Sequence, residues 1–302
     1  MATLLISLFV GISVAVVLIG VVYMLYRKSL REAKNYERGL KMVPLKIHLP
    51  PSSDDIEVGS RDERDVTQEA LSQAQVMYNI IASTATKGFK SKVFGQRHIA
   101  FELIVKNGII HYYTVVPVVL IDVIRQAVAA AYPMATLEEV EEHNIFSQKG
   151  RISGTIGGEL SLKNDYAYPI ATYEESKRDA MRAILNALSS AGRDDGAAIQ
   201  ILIRPAPEGW TKRSSSVVEK IRKGKKSGGI GVSLPTGMLE ALWKPPQHPD
   251  HKSDDQHQIT SFEQSSIEAI EEKSRYAGYE TMVRVVASSN TAAQSQTIMK
   301  NI

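Results

Sequence analysis

The strongest pattern in the chain is an uninterrupted apolar run over residues 3–26, which contains no charged residue. At about 1.5 Å per residue, a helix of this length covers the roughly 30 Å hydrocarbon core of a bilayer. Basic residues follow the run at once, and none precedes it. The positive-inside rule therefore predicts one transmembrane helix, with a short N-terminus outside and the rest of the chain in the cytoplasm.

The membrane interface is predicted to lie at the end of this run. Tyr26 stands where interfacial aromatic side chains are enriched, and Arg27, Lys28 and Arg31 follow it. We expect these four side chains to contact lipid headgroups. A cleaved signal peptide is the alternative, but it needs a basic n-region and a small-residue cleavage site, and this chain begins Met-Ala.

The next part of the chain changes from linker-like to alternating sequence. Residues 27–65 predict a basic juxtamembrane segment and a Pro-, Ser- and Asp-rich linker, in which LKIHLPP has the composition of a short edge strand. Apolar positions at helical spacing predict an amphipathic helix over 66–82. The β-rich runs 99–105 and 109–116 flank Asn107-Gly108, the strongest short hairpin signal, because both turn residues must accept positive φ. Alternation predicts Phe101, Leu103 and Val105 on the buried face.

The middle of the chain indicates an α+β domain. We favour a strand over 136–145, although Thr136 and Glu139 also resemble a helix capping box. The elements expected from 109 onward are strand 109–116, helix 118–131, strand 136–145, strand 159–162, a helix opened by a capping box at 172–175, and strand 197–203. This β-α-β-β-α-β order predicts a ferredoxin-like domain over 66–205, with strand 99–105 as an extra hairpin partner.

The C-terminal third is predicted to contain two further parts. Residues 206–258 read as a basic helix at 209–222 and a mobile Gly-, Pro-, Lys- and Asp-rich insertion. Residues 259–302 predict a helix, a strand and a helix, with a capping box at Thr260 and Glu263 and an N-cap at Asn290. Because the last helix reaches Ile302 with no Gly, Pro or polar tail, we expect a chain that has been cut short.

Composition and motifs give little support for an enzyme. There are 36 Lys and Arg, 33 Asp and Glu, and no Cys, which excludes disulfides, thiolate metal sites and a cysteine nucleophile. The nearest text to a phosphate loop, residues 223–231, has the wrong Gly and Lys spacing. The histidines of 248–257 lie in polar, linker-like sequence. We therefore predict no catalytic, cofactor-binding or metal-ligating residue.

One positive patch remains as a candidate contact. It is formed by Arg222, Lys223, Lys225 and Lys226, which are expected to lie in a solvated basic loop. Lysine and arginine clusters of this kind can bind phosphates of nucleic acid or lipid. Nucleic acid is therefore kept as an alternative partner.

The stretch HIAFELIVKNGIIHYYTVVPVVLIDVIRQAVAAAYPMATLEEVEEHNIF, with its YP and EEVEEHNIF signature, resembles the N-terminal region of a bacterial family of membrane-anchored, type IV secretion-like ATPases, similar to the coupling ATPases of conjugation. ETMVRVVASSNTAAQSQTIMKNI resembles the strand and helix that precede the motor domain of that family. The chain lacks the phosphate loop and the acidic strand that follow there. No catalytic residue is therefore carried over.

The resemblance implies the anchor and pre-motor part of such a protein, in a bacterial inner membrane. The leading hypothesis is a non-catalytic, membrane-anchored assembly domain that positions a secretion or conjugation motor. Its expected partners are the lipid bilayer, further copies of itself, and a motor ATPase or other secretion components. The alternative is a membrane-tethered nucleic-acid-binding module that uses the basic segments 27–41 and 222–226.

Overall fold

The computed structural model of the chain describes residues 2–49, 63–141, 145–146, 154–171, 180–224 and 259–302. The chain divides into two compact units. The larger unit combines Met1–Ser161, Asp179–Pro207 and Ala277–Ile302, and the smaller combines Leu162–Arg178 and Glu208–Tyr276. The smaller unit therefore interrupts the larger one twice along the chain.

The predicted apolar helix is present. Helix α1 spans Ala2–Gly39, 38 residues, and so continues well beyond the apolar run into the basic segment. The Ser13 Oγ donates to the Phe9 carbonyl at 2.8 Å, so this hydroxyl is satisfied inside the helix. By length and composition, α1 can cross a membrane, and an N-terminal signal sequence would meet the same criterion.

Seven strands of the larger unit form one sheet. They pair in the order β4-β1-β3-β2-β6-β7-β5, and all neighbours are antiparallel. The strands are β1 (Met42–His48), β2 (Ile99–Lys106), β3 (Ile109–Pro117), β4 (Thr136–Glu139), β5 (Thr155–Leu160), β6 (Gly196–Pro205) and β7 (Tyr279–Ser288). The α+β class with an antiparallel sheet is therefore confirmed.

The helices that follow α1 are divided between the two units. Those of the larger unit are α2 (Glu63–Ser83), α3 (Phe89–Phe94), α4 (Ile121–Ala131), α5 (Ala180–Ser189) and α8 (Ala292–Asn301). Those of the smaller unit are α6 (Thr211–Arg222) and α7 (Ser261–Lys273). A short 3-10 turn, Val118–Leu120, precedes α4.

The predicted hairpin is confirmed at its turn. Asn107 and Gly108 have φ of 56° and 72°, and Lys106 pairs with Ile109 directly across them. A two-residue turn with two positive φ angles matches the right-handed twist of the flanking strands. Local sequence chemistry therefore fixes the register of β2 against β3.

One face of the sheet carries the core, as the alternation in β2 predicts. Ile99 and Phe101 pack in a first cluster with α2 and α4, and Leu103 and Val105 pack in a second with α5 and α8. Leu103 is 7% exposed and Val105 is fully buried. The four helices thus cover the same face, because residues two apart in a strand point to the same side.

The predicted β-α-β-β-α-β order is present from β3 to β6, but these strands do not pair as a ferredoxin-like sheet, because β3 pairs with β1 and β2. The pairing β4-β1-β3-β2 joins the strands of a series that begins at Met42, with β1, α2, β2, β3, α4 and β4 in this order. The prediction made β2 an extra hairpin partner of the ferredoxin-like sheet. It does pair with β3, but it also pairs with β6 and is therefore an interior strand. Residues 42–48, expected to be linker or edge strand, form an interior strand, since β1 pairs with both β3 and β4.

Smaller boundaries also differ from the predictions. The strand expected over 136–145 ends at Glu139, and the strand expected over 159–162 is Thr155–Leu160. The N-cap of α8 is Thr291 rather than Asn290, and its hydroxyl accepts from the Gln294 amide at 3.2 Å. The capping box at 172–175 and most of the insertion at 223–257 lie outside the described residues.

The smaller unit has its own core. Helices α6 and α7 pack together with Ala167 through Val217, Val218, Ile267 and Ile270. The capping box of α7 is confirmed: the Thr260 hydroxyl accepts from the Glu263 amide, and the Glu263 carboxylate accepts from the Thr260 amide.

Candidate functional site

The first candidate site lies where α1 leaves the apolar run. Arg27, Arg31 and Arg38 share one side of α1, because spacings of four and seven residues return to nearly the same helical angle. All three side chains reach the end of the short helix α3. We call these three arginines and the α3 carbonyls that they contact the arginine clamp.

The clamp consists of side-chain to backbone hydrogen bonds. The Arg27 Nε and Nη2 donate to the Lys92 carbonyl at 2.9 and 2.5 Å. The Arg31 Nη2 donates to the same oxygen at 2.9 Å. The Arg38 Nη1 lies 3.1 Å from the carbonyl oxygens of Phe94 and Gln96. The contacts therefore advance along α1 and along the end of α3 together.

Helix-terminal chemistry explains why arginines lie here. The last carbonyls of a helix have no amide partner within it and carry partial negative charge, so cationic donors stabilise them. Burial and the neighbouring Arg97 lower the pKa of Arg38 from its usual value. Gly95, just after α3, has φ of 69°, and a Cβ there would lie 3.5 Å from the Arg31 Nε.

The predicted interface residues have different surroundings. Arg27 and Arg31 donate to the Lys92 carbonyl of α3, and their contact with lipid headgroups stays a prediction. Lys28 lies 3.8 Å from the Glu32 carboxylate, with both side chains well exposed. Tyr26 is 63% exposed. The basic residues after the apolar run therefore make a structural contact with α3 that was not predicted.

The second candidate site is a line of side chains across the face of the sheet opposite α2, α4, α5 and α8. Cross-strand pairing places seven residues in one register, one from each strand. In strand order they are Glu138, Lys46, Tyr113, Glu102, Gln200, Arg284 and Glu159. We call this line the polar row.

Two neighbouring pairs of the polar row are hydrogen-bonded. The Gln200 Nε2 donates to the Glu102 Oε1 at 2.8 Å, and the Arg284 Nε donates to the Glu159 Oε1 at 3.0 Å. Glu102 is only 7% exposed, and a buried carboxylate is tolerated only with polar partners. The row therefore combines a buried centre with charged ends.

Sequence reasoning missed the polar row. Its central residues interrupt apolar strands, Glu102 within AFELIV and Gln200 within AAIQILI. One polar residue inside each run was the available signal. Their pairing depends on the register of β2 against β6, which are almost a hundred residues apart in the chain, and no local pattern specifies it.

The predicted basic patch is partly paired. Arg222 and Lys223 lie at the C-terminus of α6, where cations are favoured by the helix dipole. The Arg222 Nη2 is 3.0 Å from the Glu271 carboxylate, and Lys223 pairs with Glu219. Lys225 and Lys226 lie outside the described residues.

In the part of the chain that the structure describes, there is no group of three or more His, Asp or Glu side chains able to hold a metal ion. Histidines 248, 251 and 257 lie outside it. The chemistry of both described sites is that of charge pairing and hydrogen bonding. Both arrangements suit holding surfaces together.

The fold and these surfaces define an α+β domain with a wide antiparallel sheet and an N-terminal apolar helix. The chain belongs to a family described as a domain of unknown function, DUF8128, whose model matches residues 48–302. The match begins at His48, the last residue of β1, and leaves α1 outside. No curated protein and no solved structure matches the chain.

Proposed function

We propose that this protein is a non-catalytic, membrane-anchored assembly domain, with α1 retained as its anchor and the sheet unit on the cytoplasmic side. The observation that carries the proposal is the arginine clamp. It joins the first residues after the apolar run to the body of the domain by hydrogen bonds of 2.5 to 2.9 Å.

The clamp favours a domain held in a fixed position relative to the membrane helix over one attached by a flexible linker. A flexible linker after a membrane helix would leave the domain free to move over the surface. Here α1 runs without a break through Arg27 to Gly39, and β1 begins at Met42. The height and orientation of the sheet unit are therefore coupled to the membrane helix, as an assembly scaffold requires.

The partner in this proposal comes from the sequence resemblance alone. A type IV secretion-like or conjugation motor, or further copies of the chain, would be held near the inner membrane. The exposed ends of the polar row, Glu138 and Glu159, support a docking role, because charged groups at an interface select partners of complementary charge. We also infer that β1 to β4, with α2 and α4, are a ferredoxin-like unit, since their order and pairing match that arrangement.

Nucleic-acid binding is the less favoured function. Arg27, Arg31 and Arg38 donate hydrogen bonds to carbonyl oxygens of α3. Arg222 and Lys223 form ion pairs with carboxylates. Phosphate contacts require cations that can reach the backbone and release counterions. A gel-shift assay with duplex DNA at low and physiological salt tests this alternative: the scaffold proposal predicts no salt-sensitive complex.

The orientation is tested by single-cysteine labelling in cells, which is clean because the chain has no native Cys. The variants are Ala2→Cys and Lys106→Cys, the latter at the exposed β2–β3 turn. A membrane-impermeant maleimide is expected to label position 2 in intact cells and position 106 only after permeabilisation. Labelling of position 106 in intact cells would overturn the proposed orientation.

A further inference from the structure

We propose that the segment Lys87–Phe94, with α3 at its centre, is a second membrane contact: Phe89 enters the bilayer interface, and Lys87, Lys90 and Lys92 bind anionic lipid headgroups. The inference rests on the proposed anchoring of α1. It assigns a lipid-binding surface to a segment far from the apolar run in sequence.

The clamp fixes the height of α3 relative to the apolar run. Arg27 is the first residue after Tyr26, and it donates to the Lys92 carbonyl. Arg38, further from the membrane, reaches Phe94 and Gln96. The chain from 96 back to 92 therefore runs toward the apolar run, and Phe89 lies three residues before Lys92 in the same helix.

The spacing of the arginines along α1 gives the distance over which α3 follows it. Arg27 and Arg38 are separated by about 16 Å of helix, at about 1.5 Å of rise per residue. The Lys92 carbonyl lies at the Arg27 end of this interval. The Lys92 carbonyl is thus close to the level where the hydrocarbon core gives way to headgroups, if α1 spans the bilayer with residues 3–26, and Phe89 lies within one helical turn of Lys92.

The side chains of α3 have the character of an interfacial segment. Val93 is buried against the domain. Phe89, by contrast, is 74% exposed, and Lys87, Lys90 and Lys92 are exposed around it. An apolar ring flanked by cations suits the boundary between acyl chains and anionic headgroups, where the ring is buried and the ammonium groups remain with phosphates.

Two observations favour lipid over a protein partner. The surface is continuous with the end of the proposed membrane span through the Arg27 contact. Its described cations also complement the negative surface potential of a cytoplasmic leaflet. Ile109 is 59% exposed and follows the far end of β2, whose eight residues separate it from α3 by about 25 Å, so it serves as the matched control.

The test places a nitrobenzoxadiazole probe at single cysteines of the full chain: Lys90→Cys, the mid-span Val17→Cys and the control Ile109→Cys. The chain is reconstituted in vesicles of phosphatidylcholine with about one third phosphatidylglycerol. Nitroxide-labelled lipids then quench probes that reach the bilayer. The probe at position 90 is expected to be quenched at least half as much as that at 17, and the probe at 109 not at all.

The outcomes separate this inference from the anchor. Quenching at 17 without quenching at 90 would overturn the lipid contact while leaving α1 in the membrane. An unquenched probe at 17 would overturn both. Adding Phe89→Ser to Lys90→Cys should reduce quenching by half or more without moving the thermal unfolding midpoint, because the ring is exposed. Quenching unchanged by Phe89→Ser, or by omitting phosphatidylglycerol, would contradict the proposed roles of the ring or the lysines.

Discussion

The two halves of the sheet use one arrangement of strands and helices with different connections. In the first half, β3 lies between β1 and β2, which α2 connects. In the second half, β7 lies between β5 and β6, which α5 connects. The halves meet where β2 pairs with β6, from Ile99 opposite Ile203 to Lys106 opposite Gly196.

The difference lies in the connection between the second and third strand of each half. Asn107-Gly108 joins β2 to β3 in the first half. The corresponding connection, from β6 to β7, carries Glu208–Tyr276 of the smaller unit. A strand pair can thus be formed by a local turn or by a long-range contact, and only the local turn leaves a sequence signal.

The largest effects should come from the cores of the two halves. Ile124 in α4 and Ile298 in α8 occupy corresponding helices, and each is 1% exposed. Replacing either with Ala should lower the free energy of unfolding by about 2–5 kcal/mol. Because β2 and β6 pair along their length, both variants should shift the midpoint of one common transition.

Thermal unfolding of the full chain in detergent, followed by circular dichroism, measures this. Val119→Ala is the matched control, because that side chain is 67% exposed and should change stability by less than about 0.5 kcal/mol. Two separate transitions, each sensitive to one variant alone, would show that the halves are independent domains.

The same comparison shows what sequence could predict. The hairpin at Asn107-Gly108, the helical spacing of 66–82 and the capping box at Thr260 are local, and all were confirmed. The strands assigned to the ferredoxin-like sheet were wrong, because β1 follows α1 directly and pairs with residues some seventy positions later. Linker-like composition after His48 concealed that strand.

The candidate sites show the same limit. The basic residues after the apolar run were predicted, but their contact with α3 was not, because the clamp joins residues more than fifty positions apart. The polar row depends on the register of all seven strands. Neither arrangement leaves a motif in the sequence, since each is created by pairing distant segments.

A medium effect is expected at a contact between the halves. The Tyr279 hydroxyl in β7 donates to the Tyr78 carbonyl in α2, and the two rings meet edge to face at 5.9 Å. Tyr279→Phe should cost about 0.5–1.5 kcal/mol, the usual net value of one hydrogen bond. Tyr36→Phe, at a 73% exposed position on α1, is the control and should be neutral.

The pH dependence sharpens this prediction. Burial, with Tyr78 nearby, raises the pKa of Tyr279 to about 12. The folded state thus favours the protonated phenol, so its contribution is complete below the unfolded pKa of about 10 and is lost as pH rises toward 12. Tyr279→Phe should lose less stability than wild type between about pH 10 and 12. Equal losses in unfolding scans would contradict this assignment.

The smallest effect is expected when the β6–β7 connection is shortened to a two-residue turn like the one between β2 and β3. Pro205 pairs with Tyr279, and the Ala206 amide donates to the Gly278 carbonyl at 2.8 Å, so the strands are already in hairpin register. Replacing residues 207–277 with Asn-Gly should leave cooperative unfolding intact and change stability by no more than about 1 kcal/mol. Val-Val in the same place is the control, because it resists positive φ. Loss of cooperative unfolding with Asn-Gly would show that the halves are not equivalent.

The central claim is that α1 is retained and holds the domain at the membrane. It is tested most directly by extracting membranes that contain the full chain with alkaline carbonate and measuring the intact mass of the protein that stays with the lipid. We expect membrane-bound protein whose mass includes residues 3–26. Soluble protein whose mass shows that these residues have been removed would contradict the claim, because α1 would then be a cleaved signal sequence.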